Sequence, residues 1–209
     1  MEYIDIENWK RKEHFRFFHR ADYAQYNICA NIDVTSFLAF VKENGISFYY
    51  AMIHASTFAA NEIVNFRYRI REDKIVLHDK LNPSFTDING DDDELFKLVT
   101  VDMKADILEF VNYAKELSKT QKDYFPMENL AGRDDFVYIT CIPWVSFTHM
   151  SHTISLNKND SVPRLSWGKY FKEGERVLLP FSVQVNHALV DGIHVGRYFE
   201  KLQNHIDNL

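Results

Sequence analysis

The sequence predicts an α+β protein built on a mixed β-sheet flanked by helices, and three observations lead there. Strand-like and helix-like stretches follow one another without the regular alternation of a βαβ protein. Two stretches in the second half, Phe136 to Met150 and Arg176 to Val185, are strongly apolar and read as strands. Aromatic residues make up 15% of the 209-residue chain, with 17 Phe and 11 Tyr, which suits a packed β-rich core and also a pocket for a flat organic ligand.

The elements follow in order. Tyr26 to Val34 reads as a strand, and Thr35 to Glu43 as a short helix with Thr35 as its cap and Gly45 just past its end. Ser47 to Glu62 is apolar on nearly every side, the mark of a buried helix. Phe66 to Ile70 and Lys74 to His78 alternate like the strands of a hairpin, joined by Arg71-Glu72-Asp73. Asn89 to Glu94 is acidic, but it lacks the ligand spacing and terminal Glu of a calcium loop and reads as a solvated turn. Leu95 to Met103 is a strand. Ala105 to Lys119 is an amphipathic helix, with Ile107, Phe110, Val111, Ala114 and Leu117 on one face. After the two apolar strands, a last helix from Ile193 to Ile206 puts Val195, Tyr198, Phe199 and Leu202 on one side.

With 7 Gly, 5 Pro and no repeat or low-complexity linker, residues 1–209 are expected to form a single domain. The net charge of −6 argues against a broad nucleic-acid surface, though not against a small anionic ligand held by a few cations. Cys29 and Cys141 each sit in an apolar stretch and read as two buried free thiols in a reducing compartment. The acidic start, Met1 to Glu7, lacks a signal peptide's basic and apolar parts, and the apolar run Phe48 to Ala60 is too short to span a bilayer. A soluble, cytoplasmic protein is expected.

Nine histidines are the first candidates for chemistry. His14 and His19 lie in a charged, aromatic segment, His78 in the hairpin and His205 near the carboxyl end. His149 and His152 are three apart, which on a strand puts them on opposite faces, and no third ligand accompanies them, so no metal site is expected. His187 differs. It follows an apolar strand and precedes a helix, within Asn186-His187-Ala188-Leu189-Val190-Asp191-Gly192. A strand end held by a turn can offer one imidazole to a ligand. Asp191 can fix that loop, and Gly192 tolerates backbone angles that other residues resist. The pattern H-x-x-x-D-G alone is weak, and a satisfied core histidine is the plain alternative.

The wider context is specific. Ser182-Val183-Gln184-Val185-Asn186-His187-Ala188-Leu189-Val190-Asp191-Gly192-Ile193-His194-Val195-Gly196-Arg197 resembles the carboxy-terminal signature of the chloramphenicol acetyltransferases, S/A-V/I-Q-V-H-H-A-V-C-D-G-F-H-V-G/A-R. Asn8-Trp9-Lys10-Arg11-Lys12-Glu13-His14-Phe15 resembles the family's opening N-W-x-R-x-E-H-F. Pro83-Ser84-Phe85-Thr86 is similar to its P-x-F/Y-T, Ile142-Pro143-Trp144-Val145-Ser146-Phe147 to its P-W-V-S/N-F, and Trp167-Gly168-Lys169-Tyr170 to its M-G/A-K-Y. These blocks run in the family's order across the whole chain.

The resemblance implies the CoA-dependent acyltransferase fold and an O-acetyltransferase that moves an acetyl group from acetyl-CoA to a hydroxyl of chloramphenicol, inactivating the antibiotic. It implies acetyl-CoA as co-substrate with no permanently bound cofactor, and a homotrimer with active sites at subunit interfaces. His187 takes the place of the general base, acting without an acyl-enzyme. Thr140 stands at a serine that donates to the tetrahedral oxyanion, and Ser166 at a threonine that holds a nearby water. Arg11 and Asp191 match the ion pair that supports the loop. Phe18, Ala24, Tyr26, Phe96, Phe125, Met150 and His152 fall at acceptor-pocket positions, and Trp144, Lys169 and Tyr170 at the CoA channel. The chain departs from the family's pattern at several of these. Ser47 replaces a CoA-side lysine, Ala24 a cysteine, Met150 a phenylalanine, His152 a leucine and Asn186 the first His of the pair. A polar His152 in an apolar slot opens a second reading, the same chemistry on a different hydroxylated metabolite or drug. The acyltransferase core of a dehydrogenase complex, which shares H-x-x-x-D-G, and a non-catalytic relative are the remaining alternatives.

Overall fold

The computed structural model describes residues 1–88, 94–154 and 156–209. The chain opens with β1 (Glu2–Ile4), a 3-10 turn (Ile6–Asn8), α1 (Lys12–Phe18), β2 (Gln25–Asp33), α2 (Thr35–Glu43) and α3 (Phe48–Asn61). A second 3-10 turn (Val64–Arg67) leads into β3 (Tyr68–Arg71), β4 (Lys74–Leu77), β5 (Asn82–Ile88), β6 (Phe96–Thr100) and α4 (Ile107–Thr120). A third (Met127–Leu130) precedes β7 (Phe136–Cys141), β8 (Arg164–Trp167), β9 (Phe171–Glu173), β10 (Arg176–Asn186) and α5 (Gly192–Asp207).

Among the described residues β1, β4 and β3 form a small antiparallel sheet, and the other strands form a large one in the order β2-β10-β8-β7-β5-β6, with β9 added against β10. The pairs β5·β7 and β7·β8 are parallel and the remainder antiparallel, so the sheet is mixed as expected. The fold is α+β.

β10 is buried along nearly its whole length, and its alternation decides what each face of the sheet does. Phe181, Val183 and Val185 point to one side with Leu165 and Trp167 of β8, and α5 covers them; the Phe181 and Tyr198 rings lie 6.0 Å apart. Ser182, Gln184 and Asn186 point to the other side, facing the irregular segment between β7 and β8. Pro180 is tolerated in this central strand because it falls where β10 passes from its pairing with β9 to its pairing with β8.

α3 is the axial helix, with nine buried residues from Ala51 to Ala60, between α4 and α5. Its breadth of apolar surface is why the sequence shows no single stripe there. α4 and α5 each bury one face, and the predicted positions are the buried ones, with Leu117 and Phe199 half-buried. α2 ends as read. Gly45 takes φ 61°, its N–H donates to the Lys42 carbonyl, and the Ile46 N–H donates to the Val41 carbonyl, closing the turn.

Several expectations are corrected. The apolar stretch Phe136 to Met150 is a strand only to Cys141; Pro143 supplies no N–H and the chain turns there, leaving Trp144 70% exposed. His149 and His152 therefore lie off any strand, and the alternation argument does not apply to them. Thr35 is the first residue of α2 rather than its cap, and Val34 holds the cap position. The Thr35 hydroxyl instead donates to Asp33 and accepts the Val177 N–H, tying α2 to β10. In the hairpin, Arg71 pairs with Lys74, so the turn is Glu72-Asp73, and Phe66 sits in the preceding 3-10 turn. Cys29 and Cys141 are free but half-buried. The acidic stretch Asn89 to Glu94 lies outside the described residues except for Glu94.

Candidate active site

His187 sits in the turn after β10, and its backbone is anchored on both sides. Its N–H donates to the Ala24 carbonyl at 2.8 Å. Arg11 Nη2 donates to the His187 carbonyl at 2.8 Å, and Arg11 Nε to the Ala188 carbonyl at 2.8 Å. The same guanidinium grips both oxygens of Asp191, with Nη2 2.6 Å from Oδ1 and Nη1 bonded to Oδ2. One side chain at the start of α1 thus fastens the strand end, the turn and the first residue before α5. Arg11 also holds the Asp191 carboxyl below the usual carboxylate range, so it stays charged near neutral pH. The Asp191 N–H donates to His194 Nδ1 at 2.9 Å, which fixes the entry into α5.

The His187 ring is held by aromatic faces. Phe18 stacks on it at 3.8 Å between centroids and 8° between planes, and Tyr26 leans against it at 4.6 Å. The Tyr26 hydroxyl donates to the Val190 carbonyl at 3.2 Å. Nδ1 is enclosed, 3.3 Å from Asp191 Oδ1 but not aligned for a hydrogen bond. The side chain is 33% exposed, so the accessible edge is the one carrying Nε2. A carboxylate beside Nδ1 favours the proton there, which leaves the Nε2 lone pair outward and able to accept a proton.

A second group gathers on the polar face of the sheet. Thr140 of β7 is level with Ser166 of β8, which is level with Ser182 of β10. Ser166 is fully buried, and its Oγ bonds His152 Nε2. The His152 N–H donates to Gln184 Oε1 at 2.8 Å, and the Met150 carbonyl accepts from Ser182 Oγ and Asn27 Nδ2. The segment bearing Met150 and His152 is thereby stitched across β2, β10 and β8. Burial, with Arg164 nearby, pushes the His152 imidazole down to about 4, so it is neutral near pH 7. The Thr140 hydroxyl makes no hydrogen bond among the described residues.

The two groups do not meet within one chain. Ser182, the residue level with Ser166, precedes His187 by five positions, about 16 Å along a strand. Phe96 and Phe125 contact each other edge to face at 5.6 Å, both exposed, with Phe96 opening β6 at the far edge of the sheet. The structure therefore brings Arg11, Phe18, Ala24, Tyr26 and Asp191 to His187, and places Thr140, Met150, His152, Ser166, Phe96 and Phe125 elsewhere. Trp144, Lys169 and Tyr170 form a third cluster: the Lys169 N–H donates to the Val145 carbonyl at 2.8 Å, Ser146 Oγ donates to the Lys169 carbonyl at 2.6 Å, and Tyr170 lies edge-on to Phe48. The residues that sequence reasoning overlooked are Asn27, Ser182 and Gln184, which hold the His152 segment. The polar alternation at 182, 184 and 186 inside an apolar strand was the available signal.

A model of the chloramphenicol acetyltransferase family matches residues 1–203. The chain belongs to the chloramphenicol acetyltransferase family. It is 32% identical over 207 residues to a chloramphenicol acetyltransferase of a Klebsiella species, covering 98% of this chain and 93% of that one. It is likewise 32% identical over 209 residues to chloramphenicol acetyltransferase 2 of Escherichia coli, covering 99% and 97%. A solved chloramphenicol acetyltransferase superposes with a TM-score of 0.91 at 27% identity, over 98% of this chain and 99% of the other. A dihydrolipoamide acetyltransferase of Azotobacter vinelandii, at 14% identity and a TM-score of 0.68 over 94% and 86%, shares the fold alone. Among the described residues no helix is long and apolar enough to cross a membrane.

Proposed function

We propose that this protein transfers the acetyl group of acetyl-CoA to a hydroxyl of chloramphenicol, as a cytoplasmic homotrimer whose active sites lie between subunits. One observation carries the chemistry: the His187 ring is stacked on Phe18 and contacted by Tyr26, on a turn fixed by Arg11, with its Nε2 edge open. The family's named activity, shared over nearly the whole chain, supports the substrates. A fold in which the described residues surround one continuous hydrophobic core supports a single domain over residues 1–209.

Nε2 of neutral His187 takes the proton of the acceptor hydroxyl as that oxygen attacks the thioester carbonyl. The carbonyl oxygen gains the negative charge, and the unbonded Thr140 hydroxyl donates to it, assisted by a water at Ser166. Collapse breaks the carbon–sulfur bond, and the departing CoA thiolate recovers the proton from the imidazolium. Asp191 steadies the turn and stays ionised throughout, its oxygens engaged by Arg11. Alignment of two bound substrates does the rest, with no acyl-enzyme and no resident cofactor.

Trimerisation is supported by the five strand positions, about 16 Å, between His187 and Ser182, the residue level with Ser166 and Thr140, since a site using both groups must draw them from two chains. In that arrangement the acceptor pocket sets Met150, His152, Phe96 and Phe125 of one subunit against His187, Phe18, Ala24 and Tyr26 of the next, while Trp144, Lys169 and Tyr170 line the CoA side. A second reading, the same transfer to a more polar alcohol, is favoured by the imidazole of His152 among the acceptor residues. Thiol release measured with acetyl-CoA and chloramphenicol tests the first reading: turnover supports it, and thiol release only with other hydroxylated compounds replaces it with the second.

A further inference from the structure

Ser166 Oγ is wholly buried, and among the described residues its one hydrogen-bond partner is His152 Nε2. A serine hydroxyl carries one proton and two lone pairs, and a buried proton without an acceptor costs about 1–3 kcal/mol. Were Nε2 protonated, it would occupy a lone pair of Ser166 and leave the serine proton with no acceptor in the chain, so that a water beside it would have to accept that proton rather than donate one. The satisfied arrangement is the reverse: the Ser166 hydroxyl donates to a bare Nε2, and the His152 proton sits on Nδ1. That nitrogen has no partner among the described residues and is not among the enclosed atoms, so its proton is free to meet solvent or a ligand. The His152 ring cannot easily leave this position. Its own N–H is held by Gln184, the carbonyl two residues earlier by Ser182 and Asn27, and all three belong to the same sheet face.

We propose that His152 is a positioning residue for acetyl transfer: by accepting the Ser166 proton it turns the serine oxygen into a pure acceptor toward the reaction centre. A water bonded there then spends one proton on Ser166 Oγ and has the other for the carbonyl oxygen that becomes negative in the tetrahedral intermediate. The chain of donors runs from the water through Ser166 to His152, all pointing away from the oxyanion except the bond that stabilises it. No bond to His152 is made or broken. This rests on the reading of Thr140 and Ser166 as the oxyanion side of an acetyltransferase, and it adds a residue that neither composition nor spacing singled out for that role.

The test is a kinetic cycle on the full-length protein using His152→Leu, His152→Gln, Ser166→Ala and the double variant His152→Leu/Ser166→Ala, with acetyl-CoA and chloramphenicol, each variant checked for its thermal transition. If His152 acts through Ser166, His152→Leu and Ser166→Ala each lower kcat by about tenfold with KM for acetyl-CoA unchanged, and the double variant is no slower than Ser166→Ala. His152→Gln, whose amide oxygen accepts a proton, recovers part of the loss even if the leucine variant misfolds. Nitrogen-15 shifts of the parent report a protonated Nδ1 and a bare Nε2. A His152→Leu enzyme as fast as the parent, losses that multiply in the double variant, or a protonated Nε2 overturns the positioning role and leaves the acetyltransferase reading standing. A parent that releases no thiol with any alcohol overturns both.

Discussion

The His187 ring is confined by its neighbours more than by its own hydrogen bonds. Phe18 stacks on one face, Tyr26 leans on the ring, and Asp191 lies beside Nδ1, so rotation about χ2 would lose stacking and bring Nε2 toward an enclosed site. His187→Ala is therefore expected to lower kcat by roughly 10²–10⁴ while acetyl-CoA affinity, read by calorimetry, changes little. Equal turnover in that variant would remove His187 from the mechanism. Among the described residues Arg11 makes four hydrogen bonds, two to the oxygens of Asp191 and two to the His187 and Ala188 carbonyls; lysine reproduces one or two of them. Arg11→Lys is expected to cost about 1–3 kcal/mol in denaturant titrations, because a lysine that stays on Asp191 leaves the His187 and Ala188 carbonyls without their donors, and to depress kcat together with stability.

At the level of elements, β10 explains why this turn is rigid. Its buried strand runs to Asn186, whose Oδ1 accepts the Ala188 N–H at 2.9 Å and whose Nδ2 donates to the Asp160 carbonyl at 3.0 Å. The strand end is capped by its own last side chain. Gly168 plays a comparable part for the cluster of Trp144, Lys169 and Tyr170. A Cβ there would strike the Val145 carbonyl and press on the Phe147 ring, because the Trp144–Phe147 turn lies directly against the end of β8. Gly168→Ala is expected to displace that turn, destabilise the fold by about 1–3 kcal/mol, and raise KM for acetyl-CoA more than KM for chloramphenicol. A variant with unchanged KM for acetyl-CoA would separate this turn from CoA binding. The elements legible in sequence were those whose periodicity is one-sided, α4 and α5, or whose ends carry a specific signal, such as Gly45 after α2. The strand from Phe136 was overextended because apolar character past Pro143 imitates a strand while Trp144 and Val145 face outward.

For the whole molecule, the division of the site into two distant groups makes a prediction that a one-chain enzyme would not meet. If the proposed trimer shares its sites, subunits carrying His187→Ala and subunits carrying Thr140→Ala, nearly inactive alone, should regain about a quarter of parental activity when co-expressed in equal amounts, since random assembly pairs an intact His187 with an intact Thr140 at that frequency. No recovery would mean that the site is not shared. Stability should also depend on acidity. Burial pushes His54, beside His205 under α4 and α5, down to about 4, and His152 likewise to about 4. Unfolding returns both rings to water, where they bind a proton near pH 6.5, so between roughly pH 6.5 and 4 the unfolded chain holds more protons than the folded one. Denaturation midpoints should fall as pH drops through that window and level off below it, and His54→Phe should flatten the slope; a midpoint indifferent to pH would contradict both neutral rings.

Most of the helices and the longer strands, the turn around His187 and the family itself were readable from residues in a line, because periodicity and short motifs are local properties; β1, α1, β5, β8 and β9 were not, and the Arg11 partner across the chain came only from the resemblance. What only the tertiary structure decided is which of those residues share a space. The Phe18 face on His187, the His152–Ser166 bond and the gap between the two groups depend on how β10 pairs with its neighbours and where the irregular segment after β7 lies across them. Register and chain path are set by the packing of the entire core, so no stretch of sequence carries them by itself.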